Sequence, residues 1–522
     1  MADRLTRIFP ACAKLLPERF FQDCGEQATP ECVTERVAVY TAESQAAGYL
    51  PELARLELAR YRLENRPSIE LVPGTGGCLA NPTLELIPVS WEPLLPLFDG
   101  IEVTPRPGEQ ILMFWRHPRT GTPRYDQASA ADLLALKIVA EQLDPLTVAK
   151  ETRRPVGILD AVIEDAVERG ILLSPPSRLR RELPDFPIPA ATPEEFRVAE
   201  VFTLQWHITH TCDLHCRHCY DRSRRSDVAL GQGLAILDQM RAFCRDHHVR
   251  GQVSFSGGNP FLHPDFAALY RAAQERNLTP AILGNPVSAA RLDEVLDIAR
   301  PAFYQVSLEG LREHNDLIRG PGSFDAVMSF LDLLDKKRIY SMVMLTLTRA
   351  NLDQVLPLAE LLRDRVDLFT FNRLAMVGEG ARLESPGLAE YRDFLRDYLQ
   401  ARTGNPVMAL KDSLINIHLE RDQHALFGGC TGFGCGAAFN FVSLLPDGQV
   451  HACRKFPSLI GDIHRQTLEK IYHSAAAQAY RRGCSECTDC RLRAGCGGCL
   501  AVAYGWGLDP LKEKDPACFI DP

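Results

Sequence analysis

The feature that most limits the fold is an alternation of apolar, strand-like runs with helical stretches from about residue 203 onward. Six runs carry the pattern: TLQWHI, QVSFS, PAILG, FYQVSL, SMVMLTL and DLFTFNRLA. Helical stretches such as LAILDQMRAFCRDHH and FDAVMSFLDLLDKK separate them. Continuously apolar strands that alternate with helices are typical of a parallel sheet covered on both faces. We therefore predict an α/β fold, a partial (β/α)6 barrel with fewer units than a full eight-stranded barrel.

The remainder of the chain divides into regions of different character. Residues 1–95 are mostly helical in pattern, and residues 96–176 combine the strand-like EQILMFWRH with three short helices. That order predicts a small winged-helix element. Residues 177–198 are proline-rich and charged, as in a linker, and lead into the barrel at 199–405. The glycine- and cysteine-rich residues 406–522 are expected to depend on bound metal more than on an apolar core.

Cysteines are concentrated in two places. Of 17 cysteines, three lie at 212–219 and nine between Cys430 and Cys518. A disulfide framework suits small secreted domains, whereas this chain has 522 residues and begins without an apolar signal segment. Such dense clusters predict metal ligands. The five scattered cysteines are interpreted as small buried hydrophobes: Cys12, Cys24, Cys32, Cys78 and Cys244.

The bulk composition argues against two classes of partner. The formal net charge of −9 gives no electrostatic signature of nucleic-acid binding. No stretch approaches the ~18 consecutive apolar residues of a membrane span. We therefore expect a cytoplasmic protein with no membrane partner.

The first cysteine group follows the first strand of the βα pattern. Cys212, Cys216 and Cys219 have the spacing C-x3-C-x2-C, and barrel folds place active sites in the loops at the carboxyl ends of their strands. Three thiolates can hold three irons of a [4Fe–4S] cube and leave the fourth open to a ligand with its own nitrogen and oxygen. A zinc site completed by His215 or His218 is the competing interpretation.

This loop resembles the signature of the radical SAM superfamily, and the resemblance extends over about residues 200–400. It implies that S-adenosylmethionine (SAM) occupies the fourth iron and is cleaved to methionine and a 5′-deoxyadenosyl radical. FSGGNP is similar to the family's GGEP loop, with Asn259 in place of the glutamate. Ser307 and Arg319 are expected at the SAM carboxylate, which suits a planar guanidinium. By resemblance the SAM-contacting residues are Gly257, Gly258, Asn259, Pro260, Ser307, Glu309, Arg319, Leu374 and His218.

The second cysteine group resembles the SPASM domain, which carries two auxiliary clusters. The resemblance implies cluster I on Cys430, Cys435, Cys453 and Cys499, and cluster II on Cys487, Cys490, Cys496 and Cys518. With the SAM-binding cluster, three [4Fe–4S] clusters are expected. Two structural zinc ions are the competing interpretation, and Cys484 has no assigned role.

Two positions depart from the family pattern. Only Gly497 and Gly498 separate Cys496 from Cys499, where the usual SPASM spacing has three residues. Arg454 follows Cys453 at the place where sulfatase-maturing relatives carry an aspartate base. This second departure argues against formylglycine chemistry.

The N-terminal element bears on the substrate. A winged helix can bind DNA through its third helix, but the candidate helix carries Asp160, Glu164, Asp165 and Glu168, which would repel phosphates. The alternative resembles the PqqD-like modules that hold leader peptides by adding the peptide to a sheet edge. We favour peptide binding, with Ile111–Trp115 as the candidate edge strand.

Together these resemblances identify a radical SAM–SPASM maturase of ribosomally made peptides, similar in arrangement to the selenobiotic, thio(seleno)oxazole-type maturases. The expected partners are a precursor peptide, bound through its leader, and an electron donor such as flavodoxin or ferredoxin. The expected product is a cross-link, a heterocycle or a thioether. No catalytic acid or base is assigned beyond the cofactor machinery. Two alternatives stay open: a radical SAM enzyme that acts on a small molecule or another protein, and an iron–sulfur regulator that binds DNA.

Overall fold

The chain forms two compact units, Met1–Pro176 and Ser177–Pro522. The division falls where the sequence predicts the start of a linker, and the finer five-part division stays a prediction. The structure, a computed structural model, describes residues 2–25, 28–44, 46–65, 77–182, 186–189 and 192–520. Parts of the predicted linker, residues 183–185 and 190–191, therefore lie outside the described residues.

Unit 1 combines helices with two small sheets. Its helices are α1 (Ala2–Ile8), α2 (Pro10–Leu15), α3 (Arg19–Gln22), α4 (Pro30–Ser44), α5 (Leu50–Asn65), α6 (Leu95–Phe98), α7 (Ala130–Ala140), α8 (Pro145–Thr152) and α9 (Val156–Glu168). Its strands are β1 (Leu79–Ala80), β2 (Glu85–Glu92), β3 (Arg106–Arg116), β4 (Pro123–Gln127) and β5 (Leu172–Leu173). The larger sheet has the antiparallel order β2-β3-β4.

The prediction that Ile111–Trp115 forms an edge strand is wrong, because this segment lies within β3, the central strand of the sheet. Both faces of β3 are buried. Leu112 and Phe114 pack into one apolar cluster with α1–α5, while Met113 and Trp115 pack into another against α7 and α9. A strand covered on both faces is continuously apolar, as ILMFW is, whereas an edge strand alternates or carries charge. Among the described residues, the edges of this sheet are β2 and β4.

Three helices follow this sheet, in the order that the sequence predicts. Ser129 caps α7 in a reciprocal pair with Asp132, and Asp144 caps α8. Each capped end satisfies backbone N–H groups that a helix leaves unpaired. The indole N–H of Trp115 donates to the carbonyl oxygen of Arg169 at 2.9 Å, which fixes the end of α9 on the sheet. Because β2 lies before residue 95, the sheet crosses the predicted boundary at residues 95/96.

Unit 2 is built on one nine-stranded sheet of order β11-β10-β9-β8-β7-β6-β12-β13-β14. Its strands are β6 (Val201–Thr209), β7 (Arg250–Gly257), β8 (Thr279–Leu283), β9 (Tyr304–Ser307), β10 (Ser341–Leu347), β11 (Leu368–Arg373), β12 (Phe441–Leu444), β13 (Gln449–His451) and β14 (Leu459–Asp462). Strands β6–β11 are parallel. The predicted α/β fold with a six-unit parallel core is confirmed.

The helices of unit 2 cover this sheet or follow it in the C-terminal segment. They are α10 (Leu230–His247), α11 (Phe266–Gln274), α12 (Ala289–Leu296), α13 (Arg312–Arg319), α14 (Ser323–Lys336), α15 (Val355–Leu362), α16 (Leu388–Arg402), α17 (Ile415–Arg421), α18 (Leu468–Tyr472), α19 (Ala475–Arg482) and α20 (Leu500–Gly505). Within the described part of the chain, none of the helices combines the length and apolarity needed to span a bilayer.

The C-terminal segment shares its sheet with the parallel core. Strand β12 pairs with β6 in parallel, from Phe441 opposite Thr203 to Leu444 opposite Trp206. Strands β13 and β14 then continue the sheet in antiparallel fashion. Main-chain hydrogen bonds therefore set the position of this segment relative to the core. The carboxyl ends of β6–β11 all meet at one edge, where their loops converge.

Candidate functional site

The first three predicted cluster ligands lie together at that edge. Cys212, Cys216 and Cys219 follow β6 and line a cavity of about 400 Å³. Burial raises the pKa of the Cys216 thiol to about 11. Thiols buried this way ionise only when a cation takes the place of their protons, so cluster binding would release protons.

The two glycines after β7 bring the backbone close to this cysteine loop. A Cβ on Gly257 would lie 2.0 Å from the carbonyl oxygen of Thr209, and a Cβ on Gly258 would lie 2.1 Å from that of Thr211. The N–H groups of Gly258 and Asn259 donate to these same two oxygens, each at 2.9 Å. Only glycine fits such an approach. The glycine loop is therefore fixed to the residues directly before Cys212, and both glycines line the cavity.

Arg319 presents an incompletely paired guanidinium to the cavity. It ends α13 and is only 6% exposed. One terminal nitrogen donates to Asn285 at 3.1 Å and the other to Glu309 at 3.4 Å, while Nε has no hydrogen-bond partner among the described residues. A buried donor without a partner is costly. This guanidinium, with Ser307 beside it in the cavity wall, therefore fits a carboxylate ligand.

The structure brings most, but not all, of the predicted SAM contacts to this cavity. The residues that line it are Gly257, Gly258, Ser307, Arg319, Leu374 and His218. Pro260, Asn259 and Glu309 do not line it. Glu309 is 1% exposed and accepts from the backbone N–H of Thr346 at 2.8 Å. Its carboxylate also lies 3.4 Å from Nε2 of His218, so Glu309 contacts a residue of the cavity wall without lining the cavity itself.

Asn259, which stands in place of the family's glutamate, uses both ends of its side-chain amide in hydrogen bonds within the protein. Its oxygen accepts from the backbone N–H of Phe261 at 3.3 Å, and its amide donates to Oδ1 of Asp213 at 3.4 Å. Asn259 therefore directs a donor, not an acceptor, towards the cysteine loop.

The sequence analysis missed Asn285, which lines the cavity, and Asp213, which lies in the cysteine loop and contacts Asn285 without lining the cavity. Asn285 follows β8, is 6% exposed, and donates to Asp213 at 2.5 Å while it accepts from Arg319. Its amide also lies 3.6 Å from the sulfur of Cys212. The sequence feature that could have identified Asn285 is its position just after the end of the third parallel strand. Asp213 had no signal except its place inside the cysteine loop.

Part of the cavity wall comes from the C-terminal segment. Arg454 and Lys455 line it together with His207 and Tyr220. The Tyr220 hydroxyl lies 3.3 Å from Nε2 of His207. Burial lowers the pKa of His207 to about 3 and raises that of Tyr220 to about 12. Near neutral pH this wall therefore offers a neutral imidazole and a neutral phenol beside the Arg454 guanidinium, and burial lowers the pKa of the Lys455 ammonium group.

The eight predicted auxiliary ligands form two separate groups. Cys435 interacts electrostatically with Cys499, Cys430 and Cys453, and burial raises its pKa to about 12. A second cavity, of about 20 Å³, is lined by the other four: Cys487, Cys490, Cys496 and Cys518. The structure thus brings the members of each predicted set together, Cys499 included, and that each set holds an iron–sulfur cluster stays a prediction. Cys484 is buried, does not line the second cavity, and donates to the carbonyl oxygen of Lys512 at 3.2 Å.

A buried ion pair connects the parallel core to these cysteines. Arg373, at the end of β11, bonds Asp515 in a bidentate pair at 2.7 and 2.6 Å, and its Nε bonds Asp412 at 2.7 Å. The Asp515 carboxylate in turn accepts from the backbone N–H of Cys499 at 2.7 Å, and the main-chain carbonyl of Asp515 accepts from the N–H of Cys518 at 2.9 Å. Burial is the largest single influence on the Asp515 carboxyl and raises its pKa, but the charge and hydrogen bonds of Arg373, with the N–H groups of Ala517 and Cys499, together hold that pKa below its ordinary value. The backbone of Cys499, a ligand of predicted cluster I, is therefore held directly by this pair.

Two family profiles match the chain. The Radical SAM superfamily matches residues 206–362, which include the cysteine loop and the glycine loop. SPASM, an iron–sulfur cluster-binding domain, matches residues 435–496. This chain carries a radical SAM domain and a SPASM domain.

Several known proteins resemble this radical SAM–SPASM chain. It is 26% identical to an AdoMet-dependent heme synthase of Methanosarcina barkeri, over 61% of this chain and 96% of that protein. It is 28% identical to the mycofactocin maturase MftC of Mycolicibacterium smegmatis, over 60% of this chain and 82% of that one. The crystal structure of Streptococcus suis SuiB bound to S-adenosylmethionine aligns with a TM-score of 0.51 and 15% identity, over 78% of this chain and 96% of SuiB. This last likeness shows a shared fold.

Proposed function

We propose that this radical SAM–SPASM enzyme modifies a ribosomally made precursor peptide. The observation that supports this proposal most directly is that three cysteines, the glycine loop and Arg319 line one cavity at the carboxyl ends of the parallel strands. A peptide substrate is supported by SuiB, whose structure has been solved bound to the precursor peptide SuiA. The mass of a precursor peptide is the property that tests the proposal.

We assign the cofactor-binding roles as follows. Cys212, Cys216 and Cys219 would hold a [4Fe–4S] cluster, and the unpaired Nε of Arg319 would meet the SAM carboxylate. SAM bound at the reduced cluster supplies a 5′-deoxyadenosyl radical, which takes a hydrogen atom from a substrate C–H bond. His218 and Leu374, which line the cavity, would contact the nucleoside.

Asp213 supplies the carboxylate that the glycine loop lacks. Asn259 and Asn285 both donate to its Oδ1, which leaves its second oxygen available to accept from the SAM ammonium group. A charge-assisted bond of this kind is stronger than a bond to a neutral amide. In this chain, therefore, the acidic group resides in the cysteine loop and Asn259 orients it.

Asp213→Asn should weaken SAM binding about 10- to 100-fold, because a charge-assisted hydrogen bond contributes about 1.5–3 kcal/mol. The measurement is the Kd of SAM for the cluster-loaded enzyme, together with the change that SAM makes to the EPR spectrum of the reduced cluster. Asn259→Glu in the Asp213→Asn background should recover most of the affinity. An unchanged Kd in Asp213→Asn would remove Asp213 from this role.

Two auxiliary clusters complete the proposed set of three. Full ligation by four cysteines suits electron transfer rather than substrate binding, so both groups would serve as a path for electrons to or from the substrate. We propose a flavodoxin or a ferredoxin as the electron donor. Because unpaired thiolate ligands persist only in a reducing compartment, we place the enzyme in the cytoplasm.

The sheet of unit 1 is the proposed site for the leader of the precursor. Strand β4 is an edge strand, and the N–H of Ala128, one residue beyond it, donates to Ile111 of β3. Because antiparallel ladder bonds alternate, the N–H groups of Tyr125 and Gln127 point away from β3. In the free protein the N–H of Gln127 donates to a side-chain oxygen of its neighbour Asp126 at 2.8 Å, a bond that an added peptide strand would displace. A peptide strand can add to such an edge through main-chain bonds. Edge strand β4 thus replaces Ile111–Trp115 as the candidate binding strand.

Gln127→Pro should weaken binding of the precursor at least about 10-fold, because proline removes one outward N–H and obstructs strand addition. The β3–β4 bonds do not use that N–H, so the unit should stay folded. Fluorescence anisotropy with the labelled precursor gives the Kd, and Gln127→Ala is the matched control. Equal affinities of the proline and alanine variants would exclude this edge as the binding strand.

The function itself is tested by anaerobic co-expression. Short peptides encoded beside this gene would be expressed with the wild-type enzyme or with Cys216→Ala, and the peptide masses compared. The proposal expects a mass change that occurs only with the wild-type enzyme. A loss of two hydrogen atoms would indicate a cross-link or a dehydrogenation.

A small-molecule substrate is the second candidate, since one matching relative is named a heme synthase. It is favoured if no peptide changes mass while 5′-deoxyadenosine is still formed. The cavity wall would then present Arg454 and Lys455 to an anionic group of that substrate.

A further inference from the structure

Three side chains with metal-binding atoms lie together outside the cysteine-lined sites. His247 is the last residue of α10, and Glu469 and His473 lie four residues apart on α18 and its C-cap. Residues at this spacing share one face of a helix. The proposed SAM site and the auxiliary clusters use none of the three.

The distances between these groups are close to those of a coordination shell. Nε2 of His247 lies 2.8 Å from one carboxylate oxygen of Glu469, and Nε2 of His473 lies 3.1 Å from the other. All three ligand atoms lie within 4.8 Å of one another. Tetrahedral zinc with bonds of about 2.0–2.1 Å holds its ligand atoms about 3.3–3.4 Å apart. Small side-chain rotations would therefore place all three atoms around one ion.

The surroundings hold one ligand firmly and leave the site accessible. The side chain of His247 is 8% exposed, and its ring centroid lies 4.2 Å from that of Phe243 and 5.7 Å from that of Tyr472. The side chains of Glu469 and His473 are each 52% exposed. An ion could therefore enter from solvent, and the solvent side could supply a water as the fourth ligand.

We propose that His247, Glu469 and His473 form a binding site for a single divalent transition-metal ion, with zinc as the best fit. Two imidazoles and one carboxylate are borderline ligands that suit zinc, and three protein ligands with one open position is a known zinc arrangement. The group has no thiolate, which distinguishes it chemically from the iron–sulfur sites.

The ion would connect two distant parts of unit 2. Helix α10 belongs to the parallel core, whereas α18 follows the β13–β14 hairpin of the C-terminal segment. The backbone N–H of Leu468 already donates to Gln239 of α10 at 2.9 Å, and the ring of Tyr472 packs edge-on against Phe243. A metal bond to His247 would strengthen this connection. A carboxylate that only accepts hydrogen bonds from two imidazoles is the competing account, and it predicts no zinc dependence.

The test compares His473→Gln with the wild type, both as cluster-loaded holoenzyme. His473 is half exposed, so its replacement should not disturb the core. His424→Gln removes another exposed histidine, outside the group, and is the matched control. Zinc ions are the probe. Zinc bound per chain is measured by elemental analysis after gel filtration, with iron content measured on the same samples.

The wild type and His424→Gln should each bind one more zinc ion per chain than His473→Gln, with equal iron in all three. Zinc should raise the apparent Tm of the first two by about 5 °C at concentrations well above Kd, and should not raise that of His473→Gln. Anomalous scattering at the zinc edge should place the ion between the three side chains. Equal zinc content and equal Tm response in the wild type and His473→Gln would overturn the proposal.

Discussion

Cys216→Ala should abolish reductive cleavage of SAM. We expect formation of 5′-deoxyadenosine to fall at least about 1000-fold, because two thiolates cannot retain a cluster that needs three. The iron content should fall by about four atoms per chain while the auxiliary clusters remain. The measurements are 5′-deoxyadenosine by liquid chromatography after reduction with dithionite, and iron per chain.

The matched control for this change is Cys32→Ser. Cys32, which the sequence analysis wrongly interpreted as buried, is exposed in unit 1 and lies outside all three cysteine groups, so its replacement should leave both iron and cleavage unchanged. The pair also tests the number of clusters. Iron near twelve atoms per chain in Cys32→Ser and near eight in Cys216→Ala agrees with three [4Fe–4S] clusters. Retention of cleavage in Cys216→Ala would contradict the assignment of the SAM-binding cluster.

Arg373→Met should be the most destabilising single change in the C-terminal half of unit 2. It would leave Asp412 and Asp515, whose side chains are 8% and 2% exposed, buried without their cation. Removing one partner of a buried ion pair costs about 3–5 kcal/mol. Iron should also be lost from the site of predicted cluster I, because the Asp515 carboxylate holds the backbone of Cys499.

Denaturant unfolding and iron analysis would measure both effects. Arg349→Met provides the comparison, since the Arg349 side chain is 58% exposed and its contacts with Glu384 and Glu390 are long. An exposed pair of this kind contributes at most about 1 kcal/mol. If Arg373→Met is no less stable than Arg349→Met, the buried pair is not what supports the cysteines.

The parallel core and the cysteine groups were predictable for physical reasons. A strand buried on both faces must be apolar throughout, so six such runs between helices indicated the sheet directly. Ligands of one metal cluster must be close in space, and cysteines separated by only two or three residues meet that requirement. The structure gathers the three cysteines of the β6 loop in one cavity, as the pattern predicts.

Contacts made by residues distant in sequence could not be predicted. Asp213 and Asn285 lie 72 positions apart and meet only because β6 and β8 end at the same edge of the sheet. The orientation of the Asn259 amide depends on the backbone N–H of Phe261, which a substitution pattern does not reveal. The error at Ile111–Trp115 is of another kind, since its unbroken apolar run already indicated a central strand.

The pairing of β12 with β6 makes the cysteine-rich segment inseparable from the core. Without β12, strand β6 would expose a row of unpaired N–H and C=O groups along an apolar strand, which is a template for aggregation. Exchange of this segment between related enzymes would therefore have to preserve the β6–β12 register. A chimera whose junction lies in the loops before Phe441 keeps β12 whole and able to pair with β6. A junction within β12 interrupts that pairing.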